Sequence, residues 1–508
     1  MACCVKTDEN HLNTVSEEMK GISTYIKCII GMVKEKYNED IDTERLYMGA
    51  LNGVFRAVSE HHGVINRDSV MLEVIKGILS SVDKYSVFHH YSVAERILES
   101  LKGNRYGIGL TIARVENFIK VCEVYPFSPA ADGEIVVGDK IVEINRKTIS
   151  NDTIDNVYKF MQEELNARIE LGIIRNGEQN ILYKDVQKGK IKINSVMSFI
   201  KGDIGYIRVH TFIKNTDDSV SKVLNMIDNA DIKKIILDLR YNNGGDLKQA
   251  ALLAEKFVPE GLMIKVKFKS ASYENIEYHS HMKNKKYKLV VLVNEETASS
   301  SEVLADVIQD TSSGILIGTI TGGKAAVQKM IPILTYEAFT KAKDMAGIEV
   351  VDADELKAKW GIKPSNNEIA GTAVITIGEY ITLSGRRIDK VGIAPDIYVD
   401  NSYYTKSIRL HNIQKLNSVF EYNSGDESMD IFFAKAVLKT IGYTVGEINW
   451  KLDEITINAI EKFQSDNHLN ISKILDIPTQ EMMNTMLETW VFKEDNQFTK
   501  AVEILNES

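Results

Sequence analysis

A continuously apolar, β-branched run spans Leu289 to Val293. Apolar residues without alternation are typical of a strand that is buried on both faces, so this run predicts a central strand. Residues Glu302 to Ile308 then carry apolar side chains at helical spacing, which predicts a helix. Ser299 therefore lies at a turn from a strand to a helix.

The amino-terminal part of the chain has a helical pattern. Apolar faces at helical spacing run from Leu46 to Phe55 and from Val70 to Leu79, so we expect residues 1–102 to form helices. No apolar signal-peptide core follows Met1. The run from Tyr25 to Val33 is short and contains a lysine, which favours an amphipathic helix over a membrane span.

Strand patterns recur in the middle of the chain. Gly205 to Val209 and Ile235 to Arg240 are apolar strands, and with the run at Leu289 they predict an α/β core over residues 188–405. Residues 334–371 form a charged helical insertion in this core. A solvated elaboration is favoured there over a lid or a partner surface, because surface loops tolerate insertions.

The carboxyl-terminal part is predicted to be a separate helical module. The polar stretch 406–428 is typical of a linker, and apolar periodicity in residues 429–495 predicts three short helices. The chain is thus expected to be a multidomain α+β protein.

Length and composition exclude several classes of protein. The 508 residues are too many for one core. A net charge of −10 argues against a nucleic-acid-binding protein, which would carry a basic stripe. The four cysteines are scattered, so neither a disulfide scaffold nor a zinc site is expected. No metal and no cofactor are predicted.

Ser299 is a candidate nucleophile because of its place at the start of a helix. Free backbone N–H groups and the positive end of the helix dipole stabilise a developing oxyanion there. The alternative is structural, since Ser299 and Glu302 have the spacing of a capping box, and a serine at a helix start is usually only a cap.

Lys324 is the candidate base. It follows two glycines, Gly322 and Gly323, after the apolar run Ile315 to Ile317. A lysine acts as a general base only when burial or a nearby positive charge keeps its amine neutral. Gln328 lies four residues later, on the same face in either a strand or a helix, and its amide can orient the amine without adding charge. Taken singly, a turn lysine is more often solvated.

These motifs resemble the carboxyl-terminal processing peptidases, also called tail-specific proteases. The residues are Thr297-Ala298-Ser299-Ser300-Ser301-Glu302, followed by Gly-Lys-x-x-Val-Gln ending at Gln328. The resemblance implies that Ser299 is the nucleophile, Lys324 the general base and Gln328 its orienting residue. Ser300 stands where alanine is usual, and Ala325-Ala326 replace Gly-Thr, but no chemical group of the dyad is lost.

Two further segments carry the resemblance. The turn Asn242-Asn243-Gly244-Gly245 after a strand is similar to the family's Gly-Gly turn, which implies an oxyanion hole formed by the amides of Gly245 and Ser300. The segment from Ser81 to Phe88 is similar to a Leu-Asp-Pro-x-Ser segment that precedes the PDZ domain in this family, with Lys84 in place of the proline.

Residues 103–187 resemble a PDZ domain. Gly107, Ile108, Gly109 and Leu110 occupy the place of the carboxylate-binding loop, where glycines leave N–H groups free to bind a chain terminus. The expected partners are therefore proteins or peptides with apolar carboxyl termini, and the alternative is a β-domain that serves only in packing.

The carboxyl-terminal helices resemble the small peptidoglycan-binding module of cell-wall enzymes, with a plain helical cap as the alternative. The resemblance implies peptidoglycan as a further partner and favours a location in the cell envelope, whereas the missing signal peptide leaves a cytoplasmic location open. Homodimerisation through the amino- or carboxyl-terminal helices is also expected.

The predicted function is that of a serine endopeptidase with a Ser-Lys dyad, whose PDZ domain selects substrates by their carboxyl-terminal tail. The alternative is a catalytically weak or inactive PDZ-containing cell-wall scaffold. A Ser-His-Asp triad is the rival chemistry, but His279 and His281 precede the nucleophile strand in a polar stretch, and as a metal pair they lack further ligands.

Overall fold

The computed structural model describes residues 9–60, 66–115, 118–125, 128–149, 152, 154–162, 167–175, 180–283, 286–386, 388–400, 415–493 and 495–507. These residues form packed regions of mixed helix and sheet, which confirms the predicted multidomain α+β class.

The amino-terminal region is helical. Its elements are α1 (Glu9–Lys36), α2 (Thr43–Glu60), α3 (Arg67–Ser80), the short strand β1 (Val87–His90) and α4 (Tyr91–Leu101). Helices α2 and α3 pack with their backbones in contact, because glycines lie where they meet. A Cβ atom at Gly53 would approach the carbonyl oxygen of Glu73 to 2.2 Å, and one at Gly77 would approach the oxygen of Gly49 to 2.1 Å.

A small β-domain follows. Its elements are β2 (Asn104–Gly107), β3 (Leu110–Val115), β4 (Phe118–Val124), α5 (Pro129–Asp132), β5 (Lys140–Ile144), β6 (Lys147–Thr148), α6 (Ile154–Gln162), β7 (Arg168–Ile174), β8 (Leu182–Gln187) and β9 (Gly189–Lys192). Strands β3, β4, β5, β7 and β8 form an antiparallel sheet in that order. Helix α6 packs beside β2 and β3, so a groove runs along one edge of the sheet.

The central sheet has the order β10-β11-β12-β15-β16-β19, and its strands are parallel from β11 onwards. The predicted buried run at Leu289 forms most of β15, in the middle of this sheet. The strands and helices of this region are β10 (Val196–Lys201), β11 (Ile204–Val209), α7 (Thr216–Asn229), β12 (Lys234–Asp238), α8 (Leu247–Ala254), β13 (Gly261–Phe268), β14 (Ile276–Ser280), β15 (Lys288–Val293), α9 (Ser300–Asp310) and β16 (Ile315–Gly318).

A second sheet joins the core to the amino-terminal helices. Strands β1, β18, β13 and β14 are neighbours in that order, and β17 also pairs with β18. The remaining elements of the core are β17 (Ala326–Leu334), α10 (Tyr336–Ala346), α11 (Ala353–Trp360), a 3₁₀ helix (Asn366–Glu368), β18 (Ile369–Ile381) and β19 (Ile397–Tyr398).

The insertion at 334–371 contains the helices that its pattern predicts, but the expectation of a solvated elaboration is wrong for α10. Tyr336 and Phe339 are buried against Tyr25 of α1, with ring centroids 5.7 and 5.3 Å from the Tyr25 ring. Glu337, Lys341 and Asp344, whose charges indicate solvation, lie on the opposite, exposed face of an amphipathic helix. The insertion therefore anchors the amino-terminal arm.

The carboxyl-terminal region contains the three predicted helices and one more. Its elements are β20 (Glu427–Ser428), α12 (Met429–Thr440), α13 (Glu454–Asp466), α14 (Ile477–Lys493) and α15 (Asn496–Asn506). Residues 406–414 of the predicted linker lie outside the described residues. Leu416 and Tyr422 are buried among the module's helices, so residues 415–428 are packed rather than free.

Helix α15 belongs to the core instead of the module. Phe498 and Leu505 pack on the face of the central sheet that carries Tyr206. Asp495, which caps the helix, forms an ion pair of 2.7 Å with the buried Arg240. Within the described residues, no helix is both long and apolar enough to cross a membrane.

Candidate active site

The loops that follow β12 and β15 are joined to each other at the carboxyl ends of these parallel strands. The Thr297 hydroxyl donates to the carbonyl of Leu239 at 2.9 Å, and the Ala298 amide donates to the carbonyl of Asn242 at 3.0 Å. Neighbouring parallel strands bring their carboxyl ends to one edge of the sheet, where sites in α/β folds form. The candidate nucleophile and the Gly-Gly turn therefore lie together.

Ser299 has a backbone conformation that is unusual for a residue with a side chain. Its φ is +58° and its ψ −124°, and it directly precedes α9. Such strain is typical of functional positions that the surrounding structure holds in place. Gly244 packs against it so closely that a Cβ atom there would lie 2.8 Å from the Cβ of Ser299.

The Glu302 carboxylate connects the serine turn with the lysine turn. Its Oε2 atom accepts hydrogen bonds from the amides of Ser299, at 3.1 Å, and Lys324, at 2.7 Å. Its Oε1 atom accepts from the Gly323 amide at 2.8 Å and from the Thr321 hydroxyl. Glu302 is almost fully buried, so this one carboxylate fixes the two turns relative to each other.

The Lys324 side chain is held by a neutral amide. Its Nζ donates to Oε1 of Gln328 at 3.0 Å and lies 5.1 Å from the centroid of the Tyr85 ring. Gln328 in turn donates from Nε2 to the Tyr85 carbonyl at 2.7 Å. Among the described residues, no carboxylate lies within ion-pair distance of this amine.

Burial lowers the pKa of Lys324 from its ordinary value of 10.5. The nearby charge of Lys84 lowers it further, whereas Asp83 and Glu302 act in the opposite direction. Desolvation is the largest of these effects, because a half-buried ammonium loses hydration that a neutral amine does not need. The site thus favours the neutral amine more than water does.

Two backbone amides next to Ser299 are available to bind an anion. Gly244 and Gly245 have φ values of +100° and +138°, a conformation that glycine adopts freely. The Ser300 hydroxyl donates to the Gly245 carbonyl at 2.9 Å and so holds the Gly-Gly turn against the start of α9. Within the described part of the chain, the amides of Gly245 and Ser300 donate to no acceptor.

The histidines of the rival chemistry lie elsewhere. His279 is exposed in β14 and His281 is exposed directly after it, and they contact the surface carboxylates of Glu277 and Glu255, respectively. The described residues contain no group of three or more His, Cys, Asp or Glu side chains able to hold a metal ion.

Three contributions to the site are not evident from the motifs. The Tyr85 carbonyl anchors Gln328, Asp83 acts on the lysine charge, and Glu302 binds the lysine turn as well as the serine turn. Tyr85 and Asp83 lie in the segment 81–88, which resembles a segment of the family. That resemblance draws attention to both residues in the sequence but gives neither of them a role.

The predicted carboxylate-binding loop lies at one end of the groove in the β-domain. Gly109 has a φ of +80°, and among the described residues the amides of Ile108 and Gly109 donate to no acceptor. The loop, with Gly107 and Leu110, lines a cavity of about 1010 Å³.

Comparisons with known proteins fit this arrangement. Residues 203–399 match the model of peptidase family S41, and residues 120–175 match that of the PDZ domain. The chain is 26% identical over 459 residues to the carboxy-terminal processing protease CtpA of Bacillus subtilis, a match that covers 90% of this chain and 89% of that protein. It is 25% identical over 479 residues to a probable CtpA-like serine protease of Staphylococcus aureus, with 93% and 88% covered.

Among solved structures, the chain is similar to the photosystem II D1 C-terminal processing protease, at 20% identity and a TM-score of 0.41. This match covers 75% of this chain and 93% of that protein. The resemblance to carboxyl-terminal processing peptidases with a PDZ domain is confirmed by the family models and the relatives. These matches do not support the peptidoglycan-binding module, which stays a prediction.

Proposed function

Because this chain is a serine-type peptidase related to the carboxyl-terminal processing proteases, with an S41 domain and a PDZ domain, we propose that Ser299 and Lys324 form its catalytic dyad. One observation carries the proposal. The Lys324 amine is half-buried and hydrogen-bonded to a neutral amide, while its turn shares the Glu302 carboxylate with the turn of Ser299.

In the proposed reaction, the neutral Lys324 amine accepts the proton from Ser299 Oγ as this oxygen attacks the scissile carbonyl carbon. The oxyanion of the tetrahedral intermediate receives hydrogen bonds from the amides of Gly245 and Ser300. Lys324 then passes the proton to the leaving amine as the C–N bond breaks, and an acyl-enzyme remains on Ser299. Water, deprotonated by the same amine, hydrolyses this ester.

Gln328 is proposed as a positioning residue. Its carbonyl oxygen accepts from the amine and its NH₂ group is committed to the Tyr85 carbonyl, so the orientation of the amide is fixed from both ends. A neutral partner holds the lysine in place and stabilises its charged form less than a carboxylate would.

The groove of the PDZ domain is proposed to select substrates by an apolar carboxyl-terminal tail. Its support is the loop from Gly107 to Leu110, where the free amides of Ile108 and Gly109 suit a terminal carboxylate. Such capture raises the local concentration of substrate near the dyad. Action in the cell envelope and binding of peptidoglycan stay predictions.

A second copy of the chain is the partner we propose for α2. Six exposed apolar residues form a stripe about 120° wide along this helix, on the side away from α3. A continuous apolar stripe suits the self-complementary contact of a twofold dimer. The stripe comprises Tyr47, Met48, Leu51, Val54, Phe55 and Val58.

Active-site labelling tests the dyad. Wild-type protein should react with a fluorophosphonate probe and cleave casein, whereas Ser299→Ala should do neither. Lys324→Ala should lower the rate of cleavage by about 10²–10⁴-fold, as expected for loss of a general base. Lys329→Ala is the matched control, because Lys329 lies one residue after Gln328 in the same strand and outside the proposed dyad. An inactive scaffold would label in none of these proteins.

A further inference from the structure

The carboxyl-terminal module contacts the groove of the PDZ domain. Strand β20 pairs with the free edge of β3, with Ser428 opposite Ala113 and Glu427 opposite Arg114. Behind this pairing, Ala113 and Cys122 of the PDZ sheet are buried in the same apolar cluster as Tyr422. The module is therefore packed onto the domain at the edge where a peptide strand would add.

Strand β20 occupies the part of this edge that is distant from the carboxylate-binding loop. It runs antiparallel to β3, and its chain direction leads towards Leu110, which is the direction that a bound tail takes towards the loop. The Ile112 amide is also engaged, since it donates to the Tyr158 hydroxyl at 3.1 Å. Strand addition is thereby restricted to the residues of β3 nearest the loop.

The module also supplies one wall of the cavity at this end of the groove. Tyr158 and Met161 line it from α6, while Phe433 and Trp450 line it from the module. The Trp450 and Tyr158 rings meet edge to face, with centroids 5.7 Å apart and an interplanar angle of 67°. At about 1010 Å³, the cavity is at the upper end of the usual range for small-ligand sites.

We propose that the carboxyl-terminal module is part of the tail-binding site, an inference that rests on the PDZ domain binding substrate tails. The cavity takes only the last residues of an apolar tail, about three, because β20 blocks a longer β-ladder. The terminal carboxylate lies at the amides of Ile108 and Gly109, and the terminal side chain packs against the cavity wall that Tyr158 and Trp450 form. Trp450 is thus a specificity-determining residue.

This arrangement differs from strand addition along an open sheet edge in one measurable way. A tail that adds along all of β3 gains main-chain hydrogen bonds with each further residue, so its affinity rises with length. In the composite site, residues upstream of the last few leave the groove at Ser428 and contribute little. Affinity then depends on the terminal residues and on the wall formed by the module.

Calorimetry on full-length Ser299→Ala protein tests the length limit, because binding is measured without cleavage. The ligands are acetylated Val-Ala-Leu, acetylated Gly-Ser-Gly-Val-Ala-Leu, and the longer peptide with a carboxyl-terminal amide. The two free acids should bind within about threefold of each other, and the amide at least tenfold more weakly. A hexapeptide that binds more than tenfold tighter than the tripeptide would show that β20 is displaced, and would overturn the proposal.

Variants of the wall test the role of the module. In the same background, Trp450→Ala should weaken binding at least tenfold, Trp450→Phe should retain most of it, and the control Trp360→Ala should leave it unchanged. Equal affinities of the Trp450→Ala variant and its parent would refute the composite site. Fluorophosphonate labelling of Trp450→Ala with Ser299 intact shows whether the dyad remains assembled, so failure of this proposal is distinguishable from failure of the proposed peptidase chemistry.

Discussion

Glu302 and Lys324 are 22 residues apart in the chain, yet the Lys324 amide donates to Glu302 Oε2 at 2.7 Å. The same oxygen accepts a hydrogen bond from the Ser299 amide, so one atom holds the backbones of both proposed catalytic residues. A capping residue thus has a second role, which is to set the relative position of two turns from different parts of the sheet.

We expect Glu302→Gln to separate these turns. The carboxylate accepts hydrogen bonds from four donors, two at each oxygen. In glutamine one of these oxygens is replaced by an NH₂ group, which cannot accept, so two of the four donors would lose their acceptor. A buried donor left without an acceptor costs about 1–3 kcal/mol of stability. Urea unfolding should show this loss, and peptide cleavage should fall more than tenfold. Glu295→Gln, in the same loop but exposed, is the matched control, and equal stability of both variants would contradict the role.

Gln328 is predicted to act through its lack of charge. In Gln328→Glu, a carboxylate beside the Lys324 amine would stabilise the ammonium and raise the pKa of the lysine. The rise of kcat/KM with pH should therefore shift to higher pH. In Gln328→Ala the profile should keep its position, and only its height should fall, by about 10–100-fold, because the amine loses its positioning partner. The comparison uses initial rates across pH; identical profiles for both variants would exclude a role in tuning the amine.

The sequence predicts the elements of the site better than the contacts between them. The apolar run at Leu289 and the helical spacing after Glu302 are local patterns, and they place Ser299 at the turn before α9, where the structure has it. The four-residue spacing from Lys324 to Gln328 likewise predicts that the two side chains lie on one face, and in the structure they are hydrogen-bonded at 3.0 Å. The catalytic roles of these residues stay proposals.

Contacts between distant segments leave no periodic signal. Gln328 is fixed by the backbone carbonyl of Tyr85, 243 residues earlier. Every residue type has this carbonyl, so the identity of residue 85 gives no sign of the contact. The insertion was expected to be solvated because its charges are visible in the sequence, whereas the docking of Phe339 on Tyr25 depends on the position of α1. Pairing of β20 with β3 is equally invisible, since Glu427 and Ser428 are polar.

The charges around Lys324 predict opposite shifts of the pH profile. The neutral amine is the active form, so kcat/KM should rise with pH through a pKa that burial keeps below 10.5. Asp83 raises this pKa, and Asp83→Asn should move the profile to lower pH while keeping an oxygen for the amides of Tyr85 and Ser86. Lys84 lowers the pKa, and Lys84→Gln should move the profile to higher pH.

Salt provides the control for this prediction, because Lys84 is exposed and Asp83 is only partly buried, so that mobile ions screen both charges. Both shifts should shrink as the ionic strength rises from about 0.01 M to about 1 M, while the contribution of burial persists. Shifts of the same sign in the two variants, or shifts that do not respond to salt, would contradict an electrostatic origin.

The stripe on α2 predicts a dimer that a single charge disrupts. Phe55 is 73% exposed although it is large and apolar, and Leu51 lies one turn away on the same face. In an apolar twofold contact, a glutamate at position 55 would lose its hydration and would lie near the same glutamate of the second copy, which repels it. Phe55→Glu should therefore produce monomers. Light scattering after size-exclusion chromatography measures the mass, with Glu60→Gln at the end of the helix as control. A wild-type mass of 57.1 kDa, that of one chain, would show that the stripe has no second copy as its partner.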